Sequence, residues 1–327
     1  MMKTTMNNTP SRMTKFYVIG LIMMLALPLL AEDLNNSAAA YIRMGIGARI
    51  IAMGEAGTAT ANDITAAYWN PAGLADMKDI EFSTMYNMDM GLDRKYQYAA
   101  FGKRFNFGVL AVNWINASVD DIVGTDALGN TTGNFSNADH NIAISYANSY
   151  KKMNYGFSPK FYLSTVDGDA ESGFGLDIGA KYDINQYIES GIMIRDLYGK
   201  VADDRVPYQI SAGVTAYPFI GVTIAADLVK EQSENIGFAF GGEYWTSIGR
   251  DPEADSKLSV INIKEKNTWA DVFSNFQTGV RVGFDAESRF SAGAGLKFRN
   301  IQMDYVYRLG NHDIFNDDHI ISLILRF

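Results

Sequence analysis

The chain has 327 residues, 47% of them apolar, and carries 28 basic against 37 acidic side chains for a net charge of −9. A balance this acidic excludes a nucleic-acid-binding surface, which selects clustered Lys and Arg. No cysteine is present, which excludes disulfides, thiolate metal sites, a cysteine nucleophile and a lipid-anchoring cysteine.

Residues 1–31 read as an export signal. Lys3, Arg12 and Lys15 make a basic start, no acidic residue precedes Glu32, and Phe16 to Leu30 is an apolar run too short to span a bilayer. Cleavage after Ala31 is expected; an uncleaved N-terminal anchor is the alternative. Without its three basic residues the remainder holds 25 basic and 37 acidic side chains. No later stretch approaches the length of a transmembrane helix. Average hydropathy does not separate a soluble chain from a membrane barrel, because only every second residue of a barrel strand meets lipid.

Residues 32–78 show no alternation and are expected to form a small N-terminal plug, or hatch. Gly45, Gly47, Arg49, Gly54 and Asp63 lie in a run of small residues, followed by Trp69-Asn70-Pro71-Ala72-Gly73-Leu74. Asn70 is placed to cap a helical turn with Pro71 at its first position. Asp63 is placed to cap a short turn over Ala66 to Tyr68. Arg49 and Asp63 are a candidate ion pair within the segment. Gly45 and Gly47 are not a dinucleotide fingerprint, since Ile50 stands at the third glycine position.

From residue 79 to 327 one theme repeats: about eleven residues of alternation, then a turn. Phe174, Leu176, Ile178, Ala180 and Tyr182 share one strand face; Gly175, Asp177, Gly179 and Lys181 share the other. Fourteen such segments are expected: 79–90, 94–104, 106–117, 138–149, 153–165, 173–183, 187–197, 207–216, 219–229, 236–248, 275–285, 289–299, 300–309 and 318–327. A tilted strand of this length spans ~25 Å, the apolar band of a transmembrane antiparallel β-barrel. Short turns near Phe105, Lys151, Asn185, Pro218 and Asn300 alternate with longer connections at 118–137, 166–172, 198–206 and 310–317. The 249–274 connection breaks this rule: it is an insertion, or it hides two further strands around Leu258 to Ile263. Tyr150, Tyr155, Tyr182, Tyr187, Tyr217, Phe219, Tyr244, Trp245 and Phe298 sit at turn ends, as a headgroup-level girdle requires. A secreted soluble β-sandwich is the competing architecture.

Pro159 falls inside the fifth strand, where it removes a ladder hydrogen bond. It is a candidate lateral-gate kink, or a tolerated irregularity. Asp120, Asp121 and Asp126 lie in a glycine-bearing connection without EF-hand spacing; a polar loop is expected there, and no metal site. His140, His312 and His319 form no legible catalytic or metal grouping, so no enzyme and no cofactor are expected. Terminal Phe327 closes an apolar strand face with His319, Ile321, Leu323 and Leu325.

The N-terminal string GIGARIIAMGEAGTATANDITAAYWNPAGLA resembles the PorV/PorQ outer-membrane family, itself similar to the FadL long-chain fatty-acid channels. Gly45, Gly47-Ala48-Arg49, Met53-Gly54, Ala56, Asp63 and Asn70-Pro71-Ala72-Gly73-Leu74 carry the resemblance, with Gly241-Gly242-Glu243-Tyr244-Trp245 and the ending from His319 to Phe327. Glu55 departs from it, at a position where glycine is common, as does the 249–274 insertion. The resemblance implies a 14-stranded barrel with an internal hatch in the bacterial outer membrane. Outer-membrane lipid, lipopolysaccharide and the barrel-assembly machinery are its implied partners, the last reading the C-terminal strand and Phe327. Two functions follow: an accessory of type IX protein secretion that handles secreted cargo, which is the first reading, or a passive channel for hydrophobic small molecules such as fatty acids.

Overall fold

The computed structural model describes residues 38–88, 91, 94–232, 234–247, 276–310 and 317–327. The expected signal segment, His312 and the 249–274 insertion lie outside the described residues.

All fourteen expected strands form, in order: β1 (Ile80–Met88), β2 (Arg94–Phe105), β3 (Gly108–Thr125), β4 (Thr131–Tyr150), β5 (Met153–Val166), β6 (Asp169–Asn185), β7 (Ile188–Val201), β8 (Gln209–Ala216), β9 (Val222–Glu231), β10 (Ile236–Ser247), β11 (Phe276–Phe284), β12 (Phe290–Phe298), β13 (Ile301–Arg308) and β14 (Asp318–Arg326). Each pairs antiparallel with its sequence neighbour, and β1 pairs with β14 from Glu81↔Arg326 to Met88↔His319. The sheet is therefore a closed ring with no unpaired edge. Phe327 extends the closing seam: its N–H donates to the Ile80 carbonyl at 2.8 Å. β10 pairs directly with β11, Glu243 opposite Arg281.

Alternation decides which residues face out. Phe238, Phe240 and Tyr244 of β10 are exposed, whereas the intervening Ala239 and Glu243 are buried. β11 repeats this, with Val280 and Val282 outside and Arg281 inside. An exposed apolar band around a polar interior inverts the pattern of a soluble protein and fits a lipid-facing wall.

Three expectations about connections are corrected. The 118–137 and 166–172 segments are largely strand. β3 and β4 pair past their outer neighbours, through Ile122↔Phe135 and Gly124↔Gly133, to a tight turn at 126–130. They project as a two-stranded ribbon beyond Val119 and Asn137, the last residues paired with β2 and β5. The 198–206 segment continues β7 to Val201 and adds a two-residue strand, Asp204–Arg205, folded back on it. Polar and glycine-bearing strand ends in water lack the apolar alternation that marks a strand in lipid, which is why they read as loops.

Residues 38–78 contain two short α-helices, α1 (Ala48–Ala52) and α2 (Ala66–Trp69), and 3₁₀ turns at Ala40–Arg43 and Pro71–Asp76. They pack on inward strand faces from both halves of the ring. α1 lies on β11 to β14, and the Pro71–Asp76 turn on β3 to β6. Ile46, Ile50, Ile51, Ile64 and Leu74 form one buried cluster with Tyr96, Tyr98, Ile115, Ile320 and Ile324 of the wall. A ring this wide is not filled by its own side chains.

Candidate functional site

The inner wall meets residues 38–78 through charged and polar side chains from nearly every part of the ring. Arg49 reaches β10, where Glu243 accepts from Nη2 at 2.8 Å and from Nε at 2.9 Å. Its approach to Asp63 is longer, 3.8 Å. The expected pair within the segment is therefore present, but the shorter bonds of Arg49 run to the wall. Arg281 shares Glu243 at 2.6 Å and lies 2.9 Å from Asp304 of β13. Asp63 instead organises its own turn, accepting from the Thr65 N–H at 2.9 Å, with Arg326 at 3.9 Å.

Asn70 caps the Pro71–Asp76 turn by accepting from the Ala72 N–H at 3.1 Å, while its amide donates to the Thr58 carbonyl at 2.7 Å. Lys181 of β6 and Asn154 of β5 both hold Asp76 at 2.8 Å. Asp227 of β9 accepts from the Thr58 N–H at 2.8 Å. Gly45 and Gly47 adopt φ of +80° and +74°. Gly54, at φ +64°, lies so near the wall that a Cβ would stand 2.5 Å from the Phe284 carbonyl oxygen and 2.6 Å from that of Phe240. Gly73 meets the Ala61 carbonyl in the same way.

Glu55 departs from the resembled pattern for a visible reason. Its φ is +63°, the conformation that favours glycine. Its carboxylate accepts from Arg308 at 2.7 Å and lies 3.6 Å from Arg289. The strain of a left-handed glutamate is offset by a hydrogen bond to Arg308 and an ion pair with Arg289. Sequence reasoning marked Glu55 only as a departure from the resembled pattern and passed over Arg308 and Asp227, because partners about 170 or more positions away leave no local signal.

A cavity of about 600 Å³ opens at the loop end of the ring, between Ala38–Arg43 and the ends of β8 to β11. Ala38, Ala39, Val206, Pro207, Val229 and Ile236 line it, with Arg43, Glu231, Glu234 and Glu287 as its charged groups. A smaller cavity of about 70 Å³ shares Arg43, Gln209 and Glu231 with it and continues towards Trp69, where Glu55, Arg195, Asp227 and Asp285 line it. Arg43 stands between the two. It donates to Asp196 at 2.7 Å, to the Pro207 carbonyl at 2.5 Å and to Glu231 at 3.2 Å. These acids hold its guanidinium charged against the burial that opposes it.

The wall beside Arg43 is irregular. Pro159 points outward on β5 and pairs with Leu176 of β6. On the other side the β4–β5 register runs Ala143↔Lys160 and then Tyr146↔Phe157, with no pairing at the two positions between. Ser158 donates to Ser145 at 2.6 Å across that gap. Opposite Leu176, β7 carries extra residues on either side of Leu197, at Asp196 (φ +57°) and Tyr198 (φ +58°). The break and the bulges therefore lie at one level of the wall. Behind them Lys160 holds Asp177 at 2.7 Å and also pairs with Asp196, whose second partner is Arg43.

The remaining expected positions are placed as follows. Trp245 leaves the girdle and turns inward: Arg281 lies 4.8 Å and Lys297 3.8 Å from its ring centre. His319 faces outward and meets the Tyr305 hydroxyl at 2.7 Å, and His140 bonds Trp114 at 3.2 Å. Asp120 pairs with Lys95, and Asp126 closes the ribbon turn. Among the described residues no group of three acidic or histidine side chains is placed to hold a metal ion.

No protein-family model matches the sequence, and no curated protein matches it. Solved structures do. The Pseudomonas putida toluene transporter TodX is 10% identical and superposes with a TM-score of 0.59 over 91% of this chain and 100% of its own. The monoaromatic hydrocarbon channel CymD is 13% identical, with a TM-score of 0.55 over 86% of this chain and 98% of its own. A FadL homologue from Pseudomonas aeruginosa aligns at 11% identity and a TM-score of 0.49, over 83% and 95% of the two chains. At such identities the likeness is one of fold.

Proposed function

We propose that this chain is a bacterial outer-membrane channel for hydrophobic small molecules, with residues 38–78 as its plug. The observation that carries this reading is the loop-end cavity lined by Arg43, whose ion-pair partner Asp196 lies in the wall bulge at the level of Pro159, Leu176 and Leu197. A solute entering from the loop end is stopped by the packed segment below. The wall at that level lacks part of its hydrogen-bond ladder, and a sideways path into the membrane avoids displacing the whole plug. The fold is shared with channels for toluene and monoaromatic hydrocarbons, which supports transport over secretion. The protein in liposomes should speed uptake of an apolar tracer, and removal of residues 38–78 should change the rate. Uptake equal to that of empty liposomes rejects the reading.

The secretion reading rests on the sequence resemblance carried by Gly45–Ala75, Gly241–Trp245 and His319–Phe327. It expects secreted cargo to accumulate in the periplasm when the gene is deleted. An unchanged surface proteome removes it.

A further inference from the structure

The lysines of this chain divide by where they stand. At the loop end Lys95 pairs with Asp120 and Lys200 with Asp203, and inside the ring Lys160 and Lys181 are held by Asp177 and Asp76. At the end with the short turns, Lys103, Lys151 and Lys152 are exposed, and among the described residues none of them has a carboxylate partner. Lys103 lies 5.4 Å from the Phe105 ring centre and Lys151 5.2 Å from that of Tyr150, while Lys152 approaches the Ile184 carbonyl at 3.5 Å. Of the acids on this rim, Asp76 and Glu189 hold Lys181, and Asp79 and Asp183 pair with none of the three. An aromatic face holds a cation in place without neutralising it.

Alternation puts Lys103 on the outer face of β2, between Phe101 and Phe105, both exposed. Phe101 belongs to the lipid-facing band, and Lys103 stands about 7 Å further along the strand. The turn beyond it is fixed: Tyr146 Oη donates to the Phe107 carbonyl at 2.7 Å and the Asn148 amide donates to it at 2.9 Å. Phe105 and Phe107 stack there, 5.2 Å apart. Lys151 and Lys152 make the next turn on this side, between β4 and β5. Uncompensated ammonium groups beside apolar rings, continuous with a lipid-facing band, match an amphiphile with an anionic head. A soluble acidic partner would approach along the barrel axis, whereas Lys103 faces sideways into the membrane.

We propose that Lys103, Lys151 and Lys152, with Phe105, Phe107 and Tyr150, form a binding surface for an anionic phospholipid of the leaflet at the short-turn end. The ammonium groups meet the phosphate, and the rings meet the glycerol and the start of the acyl chains. Phosphatidylglycerol, whose head is net negative, binds in preference to phosphatidylethanolamine, whose own ammonium offsets its phosphate. The inference rests on the membrane-spanning barrel and is independent of the channel reading.

The test is a lipid titration of the purified full-length protein in a neutral detergent, with bound lipid counted by native mass spectrometry. Phosphatidylglycerol should bind roughly tenfold tighter than phosphatidylethanolamine of the same acyl chains. Lys103→Gln/Lys151→Gln/Lys152→Gln should remove that preference, and arginine at the same three positions should keep it. Lys95→Gln/Lys200→Gln, at the loop end, should leave it unchanged. Heat-modifiable mobility of each variant reports that its barrel is intact. Equal affinity for the two lipids, or a preference that survives the three glutamines, overturns the inference. Lipid A in the same assay should bind the glutamine variant as well as the parent. If the glutamines weaken lipid A and spare phosphatidylglycerol, the surface serves the other leaflet and the inference fails.

Discussion

Arg281 has its whole side chain inside the wall, with Glu243 at 2.6 Å and Asp304 at 2.9 Å. Replacing it by Met removes the charge that both acids share and leaves Arg49 to serve Glu243 alone. A buried pair broken from one side costs about 3–5 kcal/mol. Arg281→Met should therefore lower the urea midpoint of unfolding from detergent at an unchanged slope. An unaltered midpoint means water screens the lumen enough to replace the pair. Gly54 makes the sharper steric case, since both its φ and the approach of Phe284 and Phe240 forbid a side chain. Gly54→Val should unseat residues 38–78, seen as faster proteolysis near Arg49; protection equal to that of the parent removes the argument. The small residues around Gly54 are plain in the sequence. Their reason is not, because the atoms that exclude a Cβ belong to strands about 190 and 230 positions away.

At the scale of elements, Pro159 and the β3–β4 ribbon are the departures from regular alternation. Pro159→Ile supplies the missing N–H beside β4. It should stabilise the barrel by about 1 kcal/mol and slow uptake of an apolar tracer; a faster or unchanged rate places the exit elsewhere. The proline was legible in the sequence, whereas its alignment with the Asp196 and Tyr198 bulges was not. Bulges arise from how two strands register, and neither strand encodes that alone. In the ribbon turn Asp126 accepts from the Leu128 N–H at 2.9 Å and the Asn130 N–H at 2.8 Å. The Asn130 side chain foremost, with these backbone donors, holds its carboxyl below the ordinary 3.8. A depressed carboxylate supports the turn at pH above its unfolded value, and that support disappears as pH falls through the lower folded value. The Asn130 amide resonance should therefore titrate with a midpoint below 3.8. A midpoint at or above that value means the turn does not hold the carboxylate.

For the whole molecule, closure is the governing fact. Every wall strand has two partners, so no edge remains to meet lipid with unpaired backbone groups. The seam between β1 and β14 includes both backbone bonds between Ile80 and Phe327. Removing Phe327 deletes these and should lower the yield of heat-modifiable barrel in refolding. A normal yield shows that the Glu81 to Met88 register closes the ring by itself.

The order and outward faces of the strands were determined by sequence alone, because lipid on one side and polar groups on the other impose a period of two that no distant contact alters. Composition likewise excluded disulfides and a basic interface. The tertiary structure decided what lies inside: that Arg49 bonds to Glu243 and not chiefly to Asp63, that Glu55 takes a glycine's conformation, that Trp245 turns inward, and that a cavity lined by Arg43 forms at the loop end. Each of these depends on which inward-facing residues meet across the lumen. That pairing is set by strand register and ring closure, and one strand's pattern of alternation does not contain it.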